Sequence, residues 1–415
     1  MTAVRQTASG FNDLNTVAWL SEPQVDAGVS PPPLMRLTPQ DKVLIVRLSA
    51  HGDCIQTWPL LGAIRAQYPD MPIGWLVESA GATLVEGLPG ITRTHVCPRQ
   101  RWLKTLRQSP WQAGTVWAEM CAFRAELRDA GYTVAIDVQG LLKSALWPWL
   151  AGIPTRIGYA QSRECSSMFY THTMPPHDQE RPDFHAVLAF LQGAQAVGAI
   201  PTQNVGNQLT PLAWPMPFIV PAFQKTQRPR VTLALGTRWA SKHWPEAHWH
   251  TLVEKLRHLP ITLTLVGSLA EAPLADALIQ GISENALAQW DNRVGKTSWA
   301  QLAEILAEST VLVGLDSAPL HLATAIAFNT AYPHVLGLFG ATAPGRTGVL
   351  LLSQWPQNQS QNLLAPGELA CRPCFQTRCQ YPQHTPEHHA CMVNLTPTLV
   401  FEAILAVLPS ESRLS

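Results

Sequence analysis

Val43-Leu44-Ile45-Val46-Arg47-Leu48-Ser49-Ala50-His51-Gly52-Asp53 is the stretch whose reading decides the fold. Its opening run is short and nearly all apolar, which suits a strand buried on both faces, as in a parallel sheet. A polar loop follows. Residues 55–68 then read as a helix, with Pro59 near its first turn. Gly52 allows a tight turn, and Asp53 is left at the mouth of the helix.

The same alternation continues outward. Residues 73–77, 94–97, 133–138 and 156–159 read as strands, and 79–86 and 111–130 as helices. Alternation of this kind implies parallel βαβ units and a doubly wound sheet. Pro211, Pro215, Pro217 and Pro221 then crowd one stretch, and 224–229 is polar, which marks a linker. Beyond it the pattern restarts, with strands at 231–235, 261–266, 311–315 and 334–339. Helices are expected at 245–256, 298–308, 318–327 and 397–408. The expectation is therefore an α/β protein of two Rossmann-like domains, 41–215 and 230–415, joined by 216–229. Residues 1–40 carry Pro31, Pro32 and Pro33 and no sustained periodicity, so a poorly ordered arm is expected. Ligands of open parallel sheets bind beyond the carboxyl ends of the strands, which places the site in a cleft between the domains.

Composition narrows the function. A chain of 415 residues suits two domains. Lys+Arg and Asp+Glu both number 29, and this balance argues against a general nucleic-acid binder. The N-terminus lacks the continuous apolar core of a secretory signal. The most apolar stretch, 141–153, is broken by Lys143 and Pro148 and is shorter than the roughly 20 residues a bilayer span needs. These features lead us to expect a soluble cytoplasmic protein.

Four loops at strand ends carry candidate chemistry. In 49–53, Asp53 is either a functional carboxylate or a helix cap. In 236–245, Thr237, Ser241, Lys242 and a helix start at Pro245 suit a diphosphate, against the blander reading of a solvated lysine. In 314–321, Asp316 ends a strand, Ser317 is placed to cap the next helix, and small Ser317 and Ala318 admit a ligand to the backbone. Asp316 as a simple cap and His321 as a core histidine are the competing readings. In 339–346, Gly340 and Gly345 punctuate a further loop.

Together these loops resemble glycosyltransferase family 9, the heptosyltransferases of GT-B fold, and most of all those members that add the first heptose to Kdo. The resemblance is carried by Ser49-x-x-Gly52-Asp53, by Asp137-Val138-Gln139-Gly140-Leu141-Leu142-Lys143-Ser144-Ala145 and by Lys242-His243-Trp244-Pro245. Asp316-Ser317-x-x-x-His321-Leu322 and Leu338-Phe339-Gly340 complete it, and it spans about 42–408. Three departures stand out. Ala318 replaces the usual glycine, Ala341-Thr342-Ala343-Pro344 lacks an acidic residue common there, and the Thr237–Lys242 spacing is one residue longer.

The resemblance implies inverting transfer of heptose from ADP-heptose to an anionic, phosphorylated glycolipid acceptor. Asp53 would be the base and Lys242 would neutralise the departing diphosphate. Thr237, Ser241, Asp316, Ser317, Ala318, His321 and Gly340 would bind the donor, and Glu271 the adenosine ribose. No metal would be required for catalysis. Arg99, Arg101, Lys104, Lys143 and Arg163 would serve the acceptor, or else Arg99, Arg101, Lys104 and Arg107 form a solvated basic helix face. Such a face also suits peripheral docking on anionic inner-leaflet lipid. Cys371, Cys374, Cys379 and Cys391, with three histidines between the last two, suit a structural zinc; reduced thiols or a labile disulfide are the alternatives. Two other functions fit the fold: a nucleotide-sugar epimerase, which needs more carboxylates in the cleft, and a non-catalytic envelope-sugar binder.

Overall fold

The computed structural model describes residues 32–175, 184–199, 214–280, 288–350 and 359–412. The first half runs β1 (Val43–Val46), α1 (His51–Gln67), β2 (Ile73–Glu78), β3 (Arg93–Cys97), α2 (Arg99–Gln108), α3 (Ala113–Asp129), β4 (Val134–Asp137), α4 (Leu142–Leu150), β5 (Thr155–Tyr159), β6 (His172–Met174) and α5 (Ala186–Ala196). The second runs β7 (Arg230–Ala234), α6 (Glu246–Leu256), β8 (Thr262–Val266), α7 (Ala272–Ile279), β9 (Gln289–Asn292), α8 (Trp299–Ala307), β10 (Val311–Leu315), α9 (Ala318–Thr330), β11 (His334–Phe339), α10 (Pro344–Thr347), β12 (Gln361–Leu364), α11 (Ala390–Val393) and α12 (Pro397–Val407).

Each half holds one six-stranded sheet, ordered β3-β2-β1-β4-β5-β6 and β12-β11-β10-β7-β8-β9. Every pairing is parallel, as the unbroken apolar strands require. In each sheet the strand order reverses once, between β1 and β4 and between β7 and β10. A crevice opens at such a switch point because the connections leave to opposite faces. The quoted motifs lie in the loops after β1, β4, β7, β10 and β11.

One apolar cluster bridges the halves, and each half holds a further cluster of its own. A single buried cluster runs from Ile45, Trp58 and Phe190 to Leu306, Ile326 and Phe339. Helix α1 packs on α5 of its own domain and on α9 of the other. His51 meets Trp299 edge-on, with ring centroids 5.4 Å apart.

Several local expectations are corrected. Helix α1 begins at His51, four residues early, and Pro59 lies in its interior rather than its first turn. Residues 79–84 form a 3₁₀ turn, not an α-helix. Residues 32–40, read as part of the arm, pack on the first domain: Leu37 is buried and the Met35 amide donates to Ala196 O at 3.1 Å. Residues 1–31 lie outside the described residues. Residues 214–229 hold no helix or strand. They are nevertheless anchored, with Trp214 buried and Phe223 stacked on Tyr332 at 3.8 Å.

Candidate active site between the domains

Asp53 is the third residue of α1. Its Oδ2 accepts from Arg47 Nη2 at 2.6 Å and from the Ala50 amide at 3.0 Å. One oxygen thus caps the start of the helix and pairs with Arg47, and no described residue bonds Oδ1. The side chain is 36 % exposed. Burial opposes its ionisation, but Arg47, the Ala50 amide and His321 outweigh it and hold the carboxyl below its usual value. Arg47, which the sequence presents only as part of a strand, is the residue that motif reading missed. It donates to Val138 O at 2.7 Å, lies 4.6 Å over the Phe190 ring, and is buried.

The loop after β4 supports this corner. Asp137 Oδ1 accepts the Gln139 and Gly140 amides at 2.8 and 3.1 Å, while Oδ2 accepts Tyr170 OH at 2.9 Å. Gln139 Oε1 in turn accepts the Leu48 amide at 2.8 Å. Asp137 is therefore a buried brace that fixes one loop to the next.

Across the domain boundary stands a second carboxylate. Asp316 Oδ2 accepts Lys242 Nζ and Thr342 Oγ1, both at 2.7 Å, and Oδ1 lies 3.5 Å from His321 Nε2. Burial raises the cost of its charge, yet Lys242 and His321 more than compensate and drive the carboxyl far below its usual value. The simple-cap reading fails here, because Asp316 bonds side chains and not helix amides. His321 is a buried histidine with a neighbour at each nitrogen, as the core reading has it, and its Nδ1 lies 3.4 Å from Gln56 Nε2 of the other domain. Lys242 also lies 4.4 Å over the Trp239 ring.

Gly52 joins the two carboxylate sites. A Cβ there would stand 2.5 Å from His321 Cδ2 and 3.7 Å from Ala318 Cα. Only a hydrogen at this position lets the start of α9 approach the start of α1.

The remaining expectations divide. Thr237 Oγ1 donates to Asp316 O at 3.3 Å, at the same strand ends. Glu271 lies over Gly236 and Gly267 at the ends of β7 and β8 and accepts the Ser268 amide and hydroxyl, each at 2.7 Å. Three of the expected donor residues have other contacts in the fold. Ser241 is buried and its hydroxyl donates to Gln376 O, so it is spent on packing. Ser317 Oγ donates back to Leu315 O at 3.2 Å and caps nothing. Gly340 is needed because a Cβ would strike Met392 Sδ at 2.4 Å, so its contact is structural. Ala318 does open α9, but Pro319 follows it and removes one of the amides expected there.

The basic run splits. Arg99 and Lys143 converge on Glu78, at 3.6 and 3.4 Å from the same carboxylate oxygen, and Lys143 also donates to Ser49 Oγ at 2.7 Å. Arg101 turns away to Glu119 at 2.6 Å, and Lys104 is exposed on α2. Arg163 opens a 3₁₀ turn, and its side chain lies outside the described residues.

The cysteine segment braces the loops after β7 and β11. The amides of Cys374 and Phe375 both donate to Ala341 O, and the Ser241 amide donates to Thr377 O. All four cysteines are free thiols. Burial and the neighbouring Cys374, Cys371 and Cys379 push the Cys391 thiol up to about 11. Among the described residues, no three His, Cys, Asp or Glu side chains stand as a metal ligand set. Cys391 is buried against Gly340, and Cys371, Cys374 and Cys379 lie half-buried on the covering loop.

Two doubly wound domains, with a carboxylate and a lysine–carboxylate pair meeting where their strand ends face, define a two-domain glycosyltransferase of GT-B type. The match to the Glycosyltransferase family 9 (heptosyltransferase) model covers residues 120–385, and the chain belongs to that family. It is 30 % identical to lipopolysaccharide heptosyltransferase 1 of Pseudomonas aeruginosa, over 82 % of this chain and 88 % of that one. It is 29 % identical to the enzyme of the same name from Escherichia coli K12, over 74 % and 90 %. The fold superposes on the E. coli heptosyltransferase WaaC solved with ADP at a TM-score of 0.64, with 24 % identity over 88 % of this chain and 100 % of that one.

Proposed function

We propose that this chain transfers heptose from ADP-heptose, with inversion, to the Kdo of a lipopolysaccharide-core acceptor. The observation that carries the reading is the Gly52–His321 contact, which sets the first turn of α1, with Asp53, against the helix whose His321 faces Asp316, the partner of Lys242. The names of the curated relatives support the choice of sugar and acceptor. In the reaction, the acceptor oxygen bonds to the anomeric carbon while the bond from that carbon to the diphosphate breaks. The electron pair leaves with ADP, and the hydroxyl proton passes to Asp53 Oδ1. An ionised Asp53, anchored through its other oxygen, is ready for that proton. Lys242 uses one of its three donors on Asp316 and keeps two for the leaving diphosphate. Glu271 receives the ribose hydroxyls. The exposed Arg101, Lys104 and Arg107 of α2, with exposed Trp111 and Trp117 nearby in the chain, form the face that docks on anionic lipid. Among the described residues no helix is long and apolar enough to cross a membrane.

Incubation of the purified chain with ADP-heptose and a Kdo-bearing lipid A acceptor tests this. ADP release matched by a heptose-sized mass gain on the acceptor is expected. Conversion of ADP-heptose without acceptor would point to the epimerase reading instead.

A further inference from the structure

One buried polar side chain of α1 has no part in the scheme above. Gln56 is 2 % exposed and lies one turn beyond Asp53, on a helix whose other buried residues are apolar apart from Thr57. Thr57 bonds its own helix, donating to Asp53 O at 2.7 Å. Gln56 instead reaches out of its domain, and its Nε2 donates to His321 Nδ1 of α9 at 3.4 Å. Among the described residues its Oε1 has no partner. A buried amide with one end unpaired costs stability, so packing of α1 on α9 alone would favour an apolar residue at this position.

The proton on His321 follows from its two neighbours. Nε2 lies 3.5 Å from Asp316 Oδ1, and Lys242 holds Asp316 ionised. A carboxylate offers only lone pairs, so Nε2 carries the N–H. In the neutral ring Nδ1 then has a lone pair, which matches the N–H of the Gln56 amide. With the amide reversed, Oε1 would face Nδ1 and call for a second proton, which makes the ring a cation. Asp53 and His185 are the other titratable groups that feel the ring; burial pushes His185 down to about 4, so it is neutral at neutral pH. Lys242, Asp316, His321 and Gln56 form one chain of contacts, from the lysine of the second domain to the helix that carries Asp53 in the first.

We propose that Gln56 is a positioning residue for the transfer: from the first domain it fixes His321 as the neutral Nε2–H tautomer, and this holds Asp316 and Lys242 in register with Asp53. The proposal rests on the reaction given above. As charge builds on the leaving diphosphate, Lys242 turns its donors towards it, and Asp316 loses part of its cation. The Nε2–H of His321 faces the other oxygen of Asp316 and compensates. Neither Gln56 nor His321 gives up a proton in this role. Each acts on the orientation of the next group along the chain.

Two readouts test it. The protonated nitrogens of His321 are read by NMR of ligand-free protein with ¹⁵N-labelled histidine near pH 7.5, with His321→Ala to assign the signals. Steady-state kinetics and ADP titration follow on the same samples. Wild type should show one protonated nitrogen, Nε2. Gln56→Met keeps the volume but not the donor and should show a mixture of the two neutral tautomers. Gln56→Glu offers only an acceptor and should show both nitrogens protonated. Turnover should fall about 10-fold in Gln56→Met, with ADP affinity and the KM for ADP-heptose within about 2-fold of wild type. Wild type with a proton on Nδ1 overturns the proposal, and so does a Gln56→Met variant that keeps the Nε2–H tautomer alone. A Gln56→Met variant with a lowered thermal midpoint but full turnover reduces Gln56 to packing and overturns it as well. Absence of heptose transfer by wild type, with the tautomers as expected, overturns the reaction and leaves the geometry of His321 standing.

Discussion

Asp53 and Asp316 stand beyond the switch-point strands of the two domains. Asp53 lies in the first turn of α1 and Asp316 two residues ahead of α9, and each is paired with a cation. They differ in what the pairing leaves over. Asp53 spends one oxygen and is 36 % exposed, beside a cavity. Asp316 is 4 % exposed, with both oxygens facing Lys242, Thr342 and His321. The same strand-loop-helix device has left a partly exposed carboxylate in one domain and a buried partner for Lys242 in the other. Exposure and the number of occupied lone pairs separate the two roles, and the local sequence does not.

The most severe test of the contrast is Asp53→Asn. Losing a general base lowers turnover by about 10²–10⁴. The amide still accepts from Arg47 and Ala50, so the thermal midpoint and ADP affinity should hold. Turnover near wild type would reduce Asp53 to a helix cap.

Breaking the other pair should read out in stability first. Lys242→Met leaves Asp316 charged and buried without its cation, a change that costs about 3–5 kcal/mol. The double variant Lys242→Met with Asp316→Asn should recover most of the lost midpoint in a denaturant titration and none of the turnover. A single variant as stable as wild type would mean that Lys242 is held by something other than Asp316.

How much of this was legible in the sequence follows the same division. The apolar strands 43–46, 311–315 and 334–339 were readable because burial on both faces leaves a continuous run. Helix α5 was not, since it is apolar almost all round and shows no polar stripe. Asp53, Lys242 and Asp316 were readable as motif positions. The Lys242–Asp316 bond was not, because the partners lie 74 residues apart on different strand ends. Arg47 was hidden inside a strand, and its role depends on a carboxylate that only folding brings back to it. The packing contacts of Ser241 and Gly340 were not readable, because hydroxyls and glycines suit ligand loops and close packing equally well.

The junction between the two sites offers a smaller effect. Gly52→Ala inserts a methyl group 2.5 Å from His321 Cδ2 and must displace the start of α9 or the ring. A shift of about 1 Å between reacting groups costs up to 10²-fold in rate. Turnover should fall about 10- to 100-fold while circular dichroism is unchanged. His321→Ala in the same chain removes the clash, so its double variant with Gly52→Ala should be no worse than His321→Ala alone. Additive losses would show that the two residues do not meet.

The smallest effect expected is a displacement of the acid limb of the pH profile, and it bears directly on why Asp53 is the open member of the pair. Burial pushes its carboxyl towards the neutral form, and Arg47 is the main group that pulls it back. With the native carboxyl held low, activity should persist as pH falls and be lost only below the usual carboxylate range. The same depression means that Asp53 adds stability above its unfolded value and loses it as pH falls through the folded one. Replacing Arg47 with Met removes the cation but keeps an apolar stem against Phe190. The carboxyl then rises, and the acid limb of kcat/KM moves to higher pH, by about one unit for each 1.4 kcal/mol of lost attraction. At pH 8 the base is ionised in both proteins, so the gap between them narrows there. A variant equally impaired at every pH would show that Arg47 only positions the carboxylate and does not set its charge.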